Sequence, residues 1–481
     1  MANKTISRRH FLIAGGTVTG SLVLGLPLAS VARAGLADGT YGERQIGYFV
    51  EITAAGKVII GSNQPEIGQG LRTALPMMVA EELDVAWEDV SITQMPLGIL
   101  KTADGYTWKY GGQGVGGSTG LTNNWEFMRE VGATARHQLI RAAAARLGVS
   151  PETCRTRSGV VLCDASNGEI PYADLIEDAA KLEMPEEAPP LKAMRDYEII
   201  GTDRKSIDAL DMVTGRSKYG FDTQIDDMRY AVIARSPILN GRVRSFDAAA
   251  AREVDGVLDV FTIEGPQPGE PYIILASGVA VVGTSTWAAL KGRDALEIDW
   301  EPGPNAGDSS KQFWRDNAAM LETSGQIVTD DGDFETALGA ADTLVTHRYE
   351  VPFVSHQPME PQNCFAHVKE DSCHIVVPTQ MPSGASRAAA AVTGLPRENI
   401  RVDMTRVGGG FGRRLTNDYV AEAAMISKQT GWPIQLVWTR EDDMRTDFYR
   451  PGGLHEVRAG LGADGRVKAW TQRLASGSKY Y

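Results

Sequence analysis

The sequence predicts a multidomain α+β protein. Strands and amphipathic helices alternate along the chain, and three glycine-rich loops lie just ahead of predicted helices. At 481 residues the chain is too long for one hydrophobic core, and at about 150 residues per domain it divides into about three domains.

Residues 1–34 have the composition of an export signal. Lys4, Arg8 and Arg9 precede an apolar stretch at residues 11–28, and a small-residue site follows at residues 32–34. The paired arginines predict the Tat route, which carries folded proteins, so we expect a periplasmic or peripheral protein that begins near Gly35. The alternative is a membrane anchor, but the apolar stretch is short and rich in Gly, Ser and Thr. Residues 1–34 are therefore left out of the predicted fold.

The charge and the cysteines exclude several classes of protein. A formal net charge of -13 without any basic run argues against nucleic-acid binding and favours an enzyme that acts on a small molecule. The 4 cysteines are too few for a disulfide scaffold and lack metal-binding spacing, so no iron–sulfur cluster is expected in this chain. Cys154 and Cys163 flank a predicted hairpin and either pair or stay buried thiols; the thiol interpretation is preferred.

Periodicity defines the elements of the first region, residues 35–200. Alternation across residues 48–60, with a turn at residues 54–56, predicts a hairpin. Apolar residues from Leu71 to Val79, and again from Trp125 to Ala143, recur at helical spacing, and the second helix is expected to end around Leu147 and Gly148.

Two composition changes suggest the later domain limits. An acidic, proline-rich tract at residues 183–191 leads into a new pattern, which places a boundary near residue 200. A Pro/Gly loop at residues 301–307 marks the second boundary. The predicted domains are thus 35–200, 201–305 and 306–481, following the signal at 1–34.

The first glycine-rich loop covers residues 65–70, between a strand and a helix. Glycines let the backbone approach a ligand, the helix N-terminus offers N–H donors to a phosphate, and Gln69 adds a neutral amide. Alone, this pattern favours an ordinary strand-to-helix turn over a ligand site.

The second loop covers residues 111–120 and contains a literal G-x-G-x-x-G. A dinucleotide-binding turn needs an apolar strand before it and a ribose-binding acid beyond the helix. Here residues 104–110 are polar, while Glu126 and Glu130 fall inside the helix. Nicotinamide binding is therefore rejected.

The third loop, residues 408–414, is the most specific signal. It follows an alternating strand at residues 400–407 and precedes a predicted helix at residues 417–430. Its glycines, an embedded aromatic and two arginines suggest a backbone nest with phosphate-compensating cations and a ring beside a flat ligand.

With these loops, the chain resembles the molybdopterin-binding large subunits of the xanthine dehydrogenase and aldehyde oxidase superfamily. The pattern is most similar to the isoquinoline 1-oxidoreductase large subunit and the aldehyde dehydrogenase large subunits of acetic acid bacteria. The resemblance implies molybdopterin-binding domains, with an α/β hammerhead domain that starts near residues 214–220. It further implies molybdopterin, by analogy its cytosine dinucleotide form, as the cofactor.

The same resemblance implies roles for individual residues. Gln380 would lie near the molybdenum, residues of the first and third loops on the pterin, and Ser118 with its neighbours at the phosphate or nucleotide end. Because the pterin dithiolene holds the metal, no protein metal ligand is expected. The implied cofactor-binding residues are Gly68, Gln69, Gly70, Gly117, Ser118, Thr119, Gln380, Gly409, Gly410, Phe411, Gly412 and Arg413.

The resemblance also implies an oxidoreductase that uses water-derived oxygen and passes electrons to a small [2Fe-2S] subunit; a cytochrome c subunit is a further partner that it admits. The family's catalytic glutamate lies in a Gly-Val-Gly-Glu segment that this sequence lacks, so no catalytic residue is assigned and a C-terminally truncated chain is expected. Glu360, in residues 356–361, is interpreted as a structural residue. Leu415 stands where purine-oxidising relatives carry a glutamate, which leaves aldehydes and N-heteroaromatics as substrates.

Two hypotheses from other classes stay open. The first is a non-catalytic cofactor-binding or scaffold protein of the same fold, which the missing base favours. The second, a periplasmic carbohydrate-binding module, has only export and scattered tryptophans in its favour.

Overall fold

The computed structural model describes residues 14–18, 21–24, 49–103, 105–183, 185, 187–265 and 275–477. Helices and sheets are mixed along this part of the chain, which confirms the α+β assignment. The helices are α1 (Leu71–Leu83), α2 (Trp125–Leu147), α3 (Ile176–Ala179), α4 (Ala209–Val213), α5 (Ala249–Arg252), α6 (Thr286–Asp294), α7 (Ser310–Leu321), α8 (Phe334–Gly339), α9 (Pro382–Thr393), α10 (Asp418–Thr430) and α11 (Arg440–Arg445).

The strands belong to several sheets. They are β1 (Ala14–Val18), β2 (Ser21–Leu24), β3 (Val50–Ile52), β4 (Val58–Ser62), β5 (Val90–Gln94), β6 (Ile99–Thr102), β7 (Gly105–Trp108), β8 (Cys154–Arg157), β9 (Val160–Cys163), β10 (Gly168–Pro171), β11 (Arg229–Arg235), β12 (Arg242–Asp247), β13 (Val257–Ile263), β14 (Gly278–Gly283), β15 (Glu297–Glu301), β16 (Thr343–Val351), β17 (Asn363–Val368), β18 (Cys373–Val377), β19 (Ile400–Met404), β20 (Ile434–Val437), β21 (Gly453–Leu461) and β22 (Val467–Ser476).

The chain divides into two compact units, each built from two separate segments. Unit 1 comprises Met1–Arg229 and Asn363–Leu436, and unit 2 comprises Tyr230–Gln362 and Val437–Tyr481. This division differs from the consecutive limits expected near residues 200 and 305. The physical reason is that β17 to β20 and α10 pack with one another and with the N-terminal region of unit 1, far from them in sequence.

Unit 1 contains two strand–helix–strand crossovers. In the first, β4 and β5 are parallel and α1 connects them; in the second, β18 and β19 are parallel and α9 connects them. Parallel neighbours need such a crossover, and the connection that leaves the first strand lies at the carboxyl end of that strand. The first glycine-rich loop and Gln380 therefore occupy equivalent places in two crossovers.

The hairpin predicted at residues 48–60 is confirmed for its described part. Val50 pairs with Ile60 and Ile52 pairs with Val58, in antiparallel register. All four side chains are at most 1% exposed, so one edge of the unit 1 core is set by this alternation.

The backbone of β1 and β2 extends the same sheet, with Leu22 opposite Ile52. These two strands pair in the chain with its N-terminal segment present, although residues 1–34 were left out of the predicted fold; removal of that segment stays a prediction. An unpaired β3 would present open N–H and C=O groups, and the apolar stretch supplies a strand that pairs with them. The rest of the predicted signal lies outside the described residues.

Helices α1 and α2 pack closely and form the centre of the unit 1 core. Leu75, Met128 and Leu139 are fully buried there, each worth about 1.5–3 kcal/mol relative to an exposed side chain. The helices approach at Gly132, where a Cβ would lie 2.5 Å from the carbonyl oxygen of Val79. Helix α2 ends at Leu147 with Gly148 at φ 64, as its sequence predicts.

Unit 2 has its own core. Strands β13, β14 and β11 are neighbours in that order, α5 and α6 pack against them, and Val232, Val260 and Val281 are buried between. A separate sheet has the order β16-β21-β22, and β12 pairs with β15. Within the described residues, none of the helices combines the length and apolar character needed to cross a membrane.

Candidate cofactor-binding site

Gln380 follows β18 and joins the second glycine-rich loop to the third. Its side-chain Nε2 donates to the carbonyl oxygen of Val115 at 3.1 Å, and its Oε1 accepts from the N–H of Gly412 at 2.9 Å. The backbone carbonyl of Gln380 accepts from the N–H of Val115 at 2.9 Å. The side chain is only 3% exposed, so both ends of one buried amide are used to fix two loops.

Gly410 packs directly against this amide and leaves no space for a Cβ atom. A Cβ at position 410 would lie 2.4 Å from Oε1 of Gln380 and 2.9 Å from its Cδ. The glycine is thus required by the close approach of the third loop to Gln380. The neighbouring Gly409 and Gly412 have φ of 96 and 106, which a residue with a side chain adopts only with strain.

Phe411 is the exposed member of the third loop. It has a φ of 54 although it carries a side chain, and the ring is 71% exposed. A bulky residue held in the left-handed region is a strained feature of the kind found at ligand sites. The ring is exposed to solvent, and its packing against a flat ligand stays a prediction.

Arg413 and Arg414 do not have the role expected from the sequence. Arg413 is 1% exposed and forms two hydrogen bonds with Asp418, at 2.9 and 2.7 Å. Arg414 is fully buried and donates to the carbonyl oxygens of Gly409 and Pro378. Their charge is used inside the protein, because a buried guanidinium needs hydrogen-bonding partners, and neither side chain compensates a phosphate in this structure.

Tyr419 reinforces the same corner. Its hydroxyl donates to the carbonyl oxygen of Pro378 at 3.1 Å. Burial raises the pKa of Tyr419 to about 12, so the hydroxyl stays protonated at neutral pH. The carbonyl oxygen of Pro378, two residues before Gln380, thus accepts hydrogen bonds from both Arg414 and Tyr419.

The second loop is held to α9 as well as to Gln380. The N–H of Gln113 donates to Oγ of Ser383 at 2.8 Å, and its side chain donates to the carbonyl oxygen of Pro96 at 2.8 Å. At its exposed end, Gly117 and Ser118 have φ of 58 and 60, and Thr119 donates through Oγ1 to the carbonyl oxygen of Gly116. The site residues predicted in this loop are thus on the surface, while the buried half of the loop anchors them.

The first loop is stabilised by its own glutamate. Oε1 of Glu66 accepts from the N–H groups of Gly68 and Gly70 at 2.8 and 3.1 Å, and Oε2 accepts from the N–H of Arg72 at 2.9 Å. The donors that the sequence offered to a phosphate therefore already have an acceptor. The reason is electrostatic, because a carboxylate is stabilised at a helix N-terminus as a phosphate would be.

Gln69 also turns back on its own loop. Its Nε2 donates to the carbonyl oxygen of Pro65 at 2.8 Å, and its Oε1 accepts from the N–H of Ile67 at 2.7 Å. The residue is exposed, so a ligand can reach it. The start of α1 touches the second loop, since a Cβ at Gly120 would lie 2.7 Å from Cδ1 of Leu71.

Unit 1 therefore brings all three loops together, and the predicted residues divide into two groups. Gln380, Gly410 and Arg413 are buried and build the frame of the site. The more open residues offer surface to a ligand: Gly68, Gln69, Gly70, Gly117, Ser118, Thr119, Gly409, Phe411 and Gly412. Glu66 and Gln113 were not singled out by sequence reasoning; an acid just before a helix was the available signal for Glu66.

The donor set suits a neutral or anionic organic cofactor better than a bare metal ion. Groups of three or more His, Cys, Asp and Glu side chains able to hold a metal are absent from the described residues. The exposed backbone at Gly117 and Ser118, both with positive φ, and the exposed ring of Phe411 offer the open surface on which a flat, polar heterocycle binds. These residues fit a pterin.

Comparisons with known proteins agree with this interpretation. Two family models, both described as molybdopterin cofactor-binding domains, match residues 22–220 and 319–480. The beta subunit of isoquinoline 1-oxidoreductase from Brevundimonas diminuta is 28% identical, over 98% of this chain and 64% of that protein. The membrane-bound aldehyde dehydrogenase [pyrroloquinoline-quinone] of Gluconacetobacter polyoxogenes is 28% identical, over 89% of this chain and 54% of that protein.

A third relative is one of the subunits of nicotinate dehydrogenase from Pseudomonas putida, 26% identical over 90% of this chain and 35% of that protein. The chain thus spans between 35% and 64% of the length of these three relatives. The two domain models cover both segments of unit 1 in large part, including all three loops. The chain belongs to the molybdopterin-binding large subunits of the xanthine dehydrogenase family.

Proposed function

We propose that this chain forms the cofactor-binding part of a molybdenum-dependent oxidoreductase that oxidises an aldehyde or an N-heteroaromatic compound. The observation that carries the proposal is the buried amide of Gln380, which bonds to Val115 of the second loop and Gly412 of the third. These bonds hold Phe411 and the strained glycines as one surface. Molybdopterin bound there supplies the redox chemistry, and the protein orients it.

Leu415 supports the choice of substrate class. Its side chain contacts Gly116, where a Cβ would lie 3.3 Å from Cδ2 of Leu415. An apolar side chain between the second and third loops offers no hydrogen bond to a polyfunctional purine. It suits an aldehyde or an N-heteroaromatic ring, and these are the substrate types named for two of the relatives.

The partner and the compartment belong to the same proposal. With no cluster-binding cysteine set in the sequence, electrons leave through a small [2Fe-2S] subunit, and a cytochrome c subunit is a further candidate. The twin arginines and the apolar stretch support Tat export to the periplasm. The Cys154–Cys163 disulfide supports an oxidising compartment. N-terminal sequencing of the native protein tests export: a start near Gly35 is expected, and retention of Met1–Ala34 contradicts it.

A non-catalytic cofactor-binding protein is the second candidate. Two carboxylates beside the loops are already bonded, Glu66 to three backbone N–H groups and Asp208 to two arginines. Neither is placed to act as a base. Catalysis therefore requires a proton acceptor other than these two groups, whereas cofactor binding does not.

The test uses the native protein together with any subunits that copurify. We expect stoichiometric molybdenum by mass spectrometry and a pterin that fluoresces after oxidation; nucleotide release on mild acid treatment identifies the proposed cytosine dinucleotide form. Dye reduction with an aldehyde and with an N-heteroaromatic substrate then separates the enzyme from the cofactor holder. Absence of both metal and pterin would falsify the proposal. If pyrroloquinoline quinone is found in place of metal and pterin, the protein is a quinone-dependent enzyme instead.

A matched pair of variants connects the cofactor to the site. Gln380→Leu removes the side-chain bonds to Val115 and Gly412 and leaves the backbone bond from Val115, and the pterin content should fall by about tenfold or more. Gln138→Leu is the control, because Gln138 is also fully buried in unit 1 but bonds to the carbonyl oxygens of Leu182 and Glu183. Equal pterin content in the two variants would mean that the side chain of Gln380 has no specific role in binding the cofactor.

A further inference from the structure

Arg72, Asp208 and Arg406 form a cluster of charges that connects the first loop to the third. Oδ2 of Asp208 accepts from Nε of Arg72 at 2.8 Å and from Nη1 of Arg406 at 2.6 Å. All three side chains are between 15% and 22% exposed. In this setting a shared carboxylate is worth more than a surface ion pair, because the surrounding protein excludes much of the screening water.

Each arginine lies next to a different glycine-rich loop in the sequence. Arg72 is the second residue of α1, and its backbone N–H is bonded to Glu66 of the first loop at 2.9 Å. Arg406 comes two residues before the third loop, and its N–H donates to the carbonyl oxygen of Lys218 at 3.1 Å. Asp208 therefore holds two side chains whose backbones continue directly into the two loops.

The segment that carries Asp208 is itself fixed to the same two places. The N–H of Ile207 donates to Oγ1 of Thr73 at 3.0 Å, and Nη2 of Arg406 contacts Sδ of Met212 at 3.1 Å. Asp208 precedes α4, but its side chain does not cap that helix. A carboxylate at such a position normally caps the helix, so its use for the two arginines is a specific arrangement.

The charge state of Asp208 agrees with this geometry. Burial alone would raise the pKa of Asp208, but hydrogen bonds and charges from Arg72 and Arg406 hold the pKa below its ordinary value. The carboxylate is ionised at neutral pH, and the three groups together carry one excess positive charge.

We propose that Asp208 is a positioning residue that sets the spacing between the first and third loops, and through that spacing the retention of the anionic pterin cofactor. The inference rests on the proposed function for the identity of the ligand. The connection between the loops does not depend on it. Asp208 lies 136 residues from Arg72 and 198 from Arg406, so this connection acts only in the folded protein.

The experiment compares Asp208→Asn and Asp208→Glu with the wild-type protein. Hydrogen exchange is measured first on cofactor-free protein, at the amides of Gly70 and Gly412, which are bonded to Glu66 and Gln380. Asp208→Asn should speed exchange at both amides by about tenfold, since it removes the charge that both arginines share. Asp208→Glu keeps that charge and should restore most of the protection.

The second measurement is the rate at which the holoprotein loses its fluorescent pterin on dialysis. Asp208→Asn should lose it about tenfold faster, with partial rescue in Asp208→Glu. The control is Asp178→Asn, which breaks the more exposed ion pair of Asp178 with Arg146 in the same unit. This control should change neither loop exchange nor pterin loss.

Arg406→Gln keeps the test decisive if Asp208→Asn fails to fold. It breaks only the third-loop side of the cluster, so exchange should rise at Gly412 while Gly70 stays protected. Unchanged exchange in these variants overturns the inference whatever the cofactor is. Faster exchange with unchanged pterin loss overturns the role in retention. A wild-type protein without pterin overturns the proposed function and with it that role, while exchange still decides the connection between the loops.

Discussion

At the scale of single residues, the site depends on a contact between Gly410 and Gln380 that is too close for any residue with a Cβ. Gln380 and Gly410 were both assigned from the sequence, through the resemblance, and the structure shows how they fit together. Arg413 was assigned as a ligand contact, but it is buried against Asp418. The sequence could not reveal this, because an arginine after a glycine loop has the same local pattern whether it faces a ligand or an internal carboxylate.

Gly410→Ala tests the close approach directly. The added Cβ would lie 2.4 Å from Oε1 of Gln380, so the amide must move and its bonds to Val115 and Gly412 weaken. We expect the free energy of unfolding in urea to fall by about 1–3 kcal/mol, with loss of bound pterin. Gly112→Ala is the control, since its Cβ meets nothing closer than 3.9 Å. Equal stability of the two variants would contradict the interpretation.

At the scale of elements, the apolar periodicity of the sequence predicted where helices and a hairpin form. It did not predict which residues distant in sequence bond to each other. The helices starting at Leu71 and Trp125, and the hairpin at Val50–Ser62, lie where their apolar spacing predicted them. The helix expected at residues 417–430 is Asp418–Thr430. Local spacing carries this information, whereas the bonds from Asp208 to Arg72 and Arg406 span more than a hundred residues and leave no periodic trace.

The pair of cysteines in the β8–β9 hairpin corrects one expectation. Cys154 and Cys163 are opposite each other in antiparallel register and form a disulfide, whereas buried thiols were preferred from the sequence. The preference rested on the small number of cysteines. Register places the two side chains together, and register follows from the turn between the strands rather than from composition.

Reduction of this disulfide should destabilise unit 1 by about 2–3 kcal/mol, the value for a closed loop of roughly ten residues. Urea unfolding with and without a thiol reductant measures the difference. The double variant Cys154→Ala, Cys163→Ala serves as control, because reductant should leave its midpoint unchanged. Cys364 and Cys373 provide no second target: burial raises the pKa of both thiols, which keeps them unreactive. If the reductant does not change the unfolding of the wild-type protein, the disulfide does not contribute to the stability of the hairpin.

At the scale of the whole molecule, the carboxylates that hold unit 1 together set its behaviour in acid. Burial opposes the ionised forms of Glu81, Asp208 and Asp403, yet hydrogen bonds and neighbouring cations lower the pKa of each below its ordinary value. Glu81 accepts the backbone N–H groups of Ile199 and Ile200 as well as the ammonium of Lys192. A group with a lowered folded pKa stabilises the protein above its unfolded pKa and loses that effect as the pH falls.

The contribution of Asp208 should therefore depend on pH in a defined direction. Its ordinary pKa is 3.8 and its folded pKa is lower, so the stability difference between the wild-type protein and Asp208→Asn should be constant above about pH 5. Below about pH 4 the difference should shrink as the carboxylate becomes protonated. Urea titrations of both proteins at a series of pH values measure it. A difference that grows on acidification would mean that the carboxylate is not the stabilising form.

Unit 1 is built from two segments that are separated in the sequence by residues of unit 2, and this affects the order in which the site is made during translation. The second and third loops meet through Gln380, and the strands and helix that support Gln380 come from Asn363–Leu436, after the long insertion of unit 2. A ribosome must therefore translate beyond the segment Asn363–Leu436 before the site can exist. Until then the second loop lacks its hydrogen-bonding partner Gln380, so a cofactor that needs all three loops can bind only after this segment has been made.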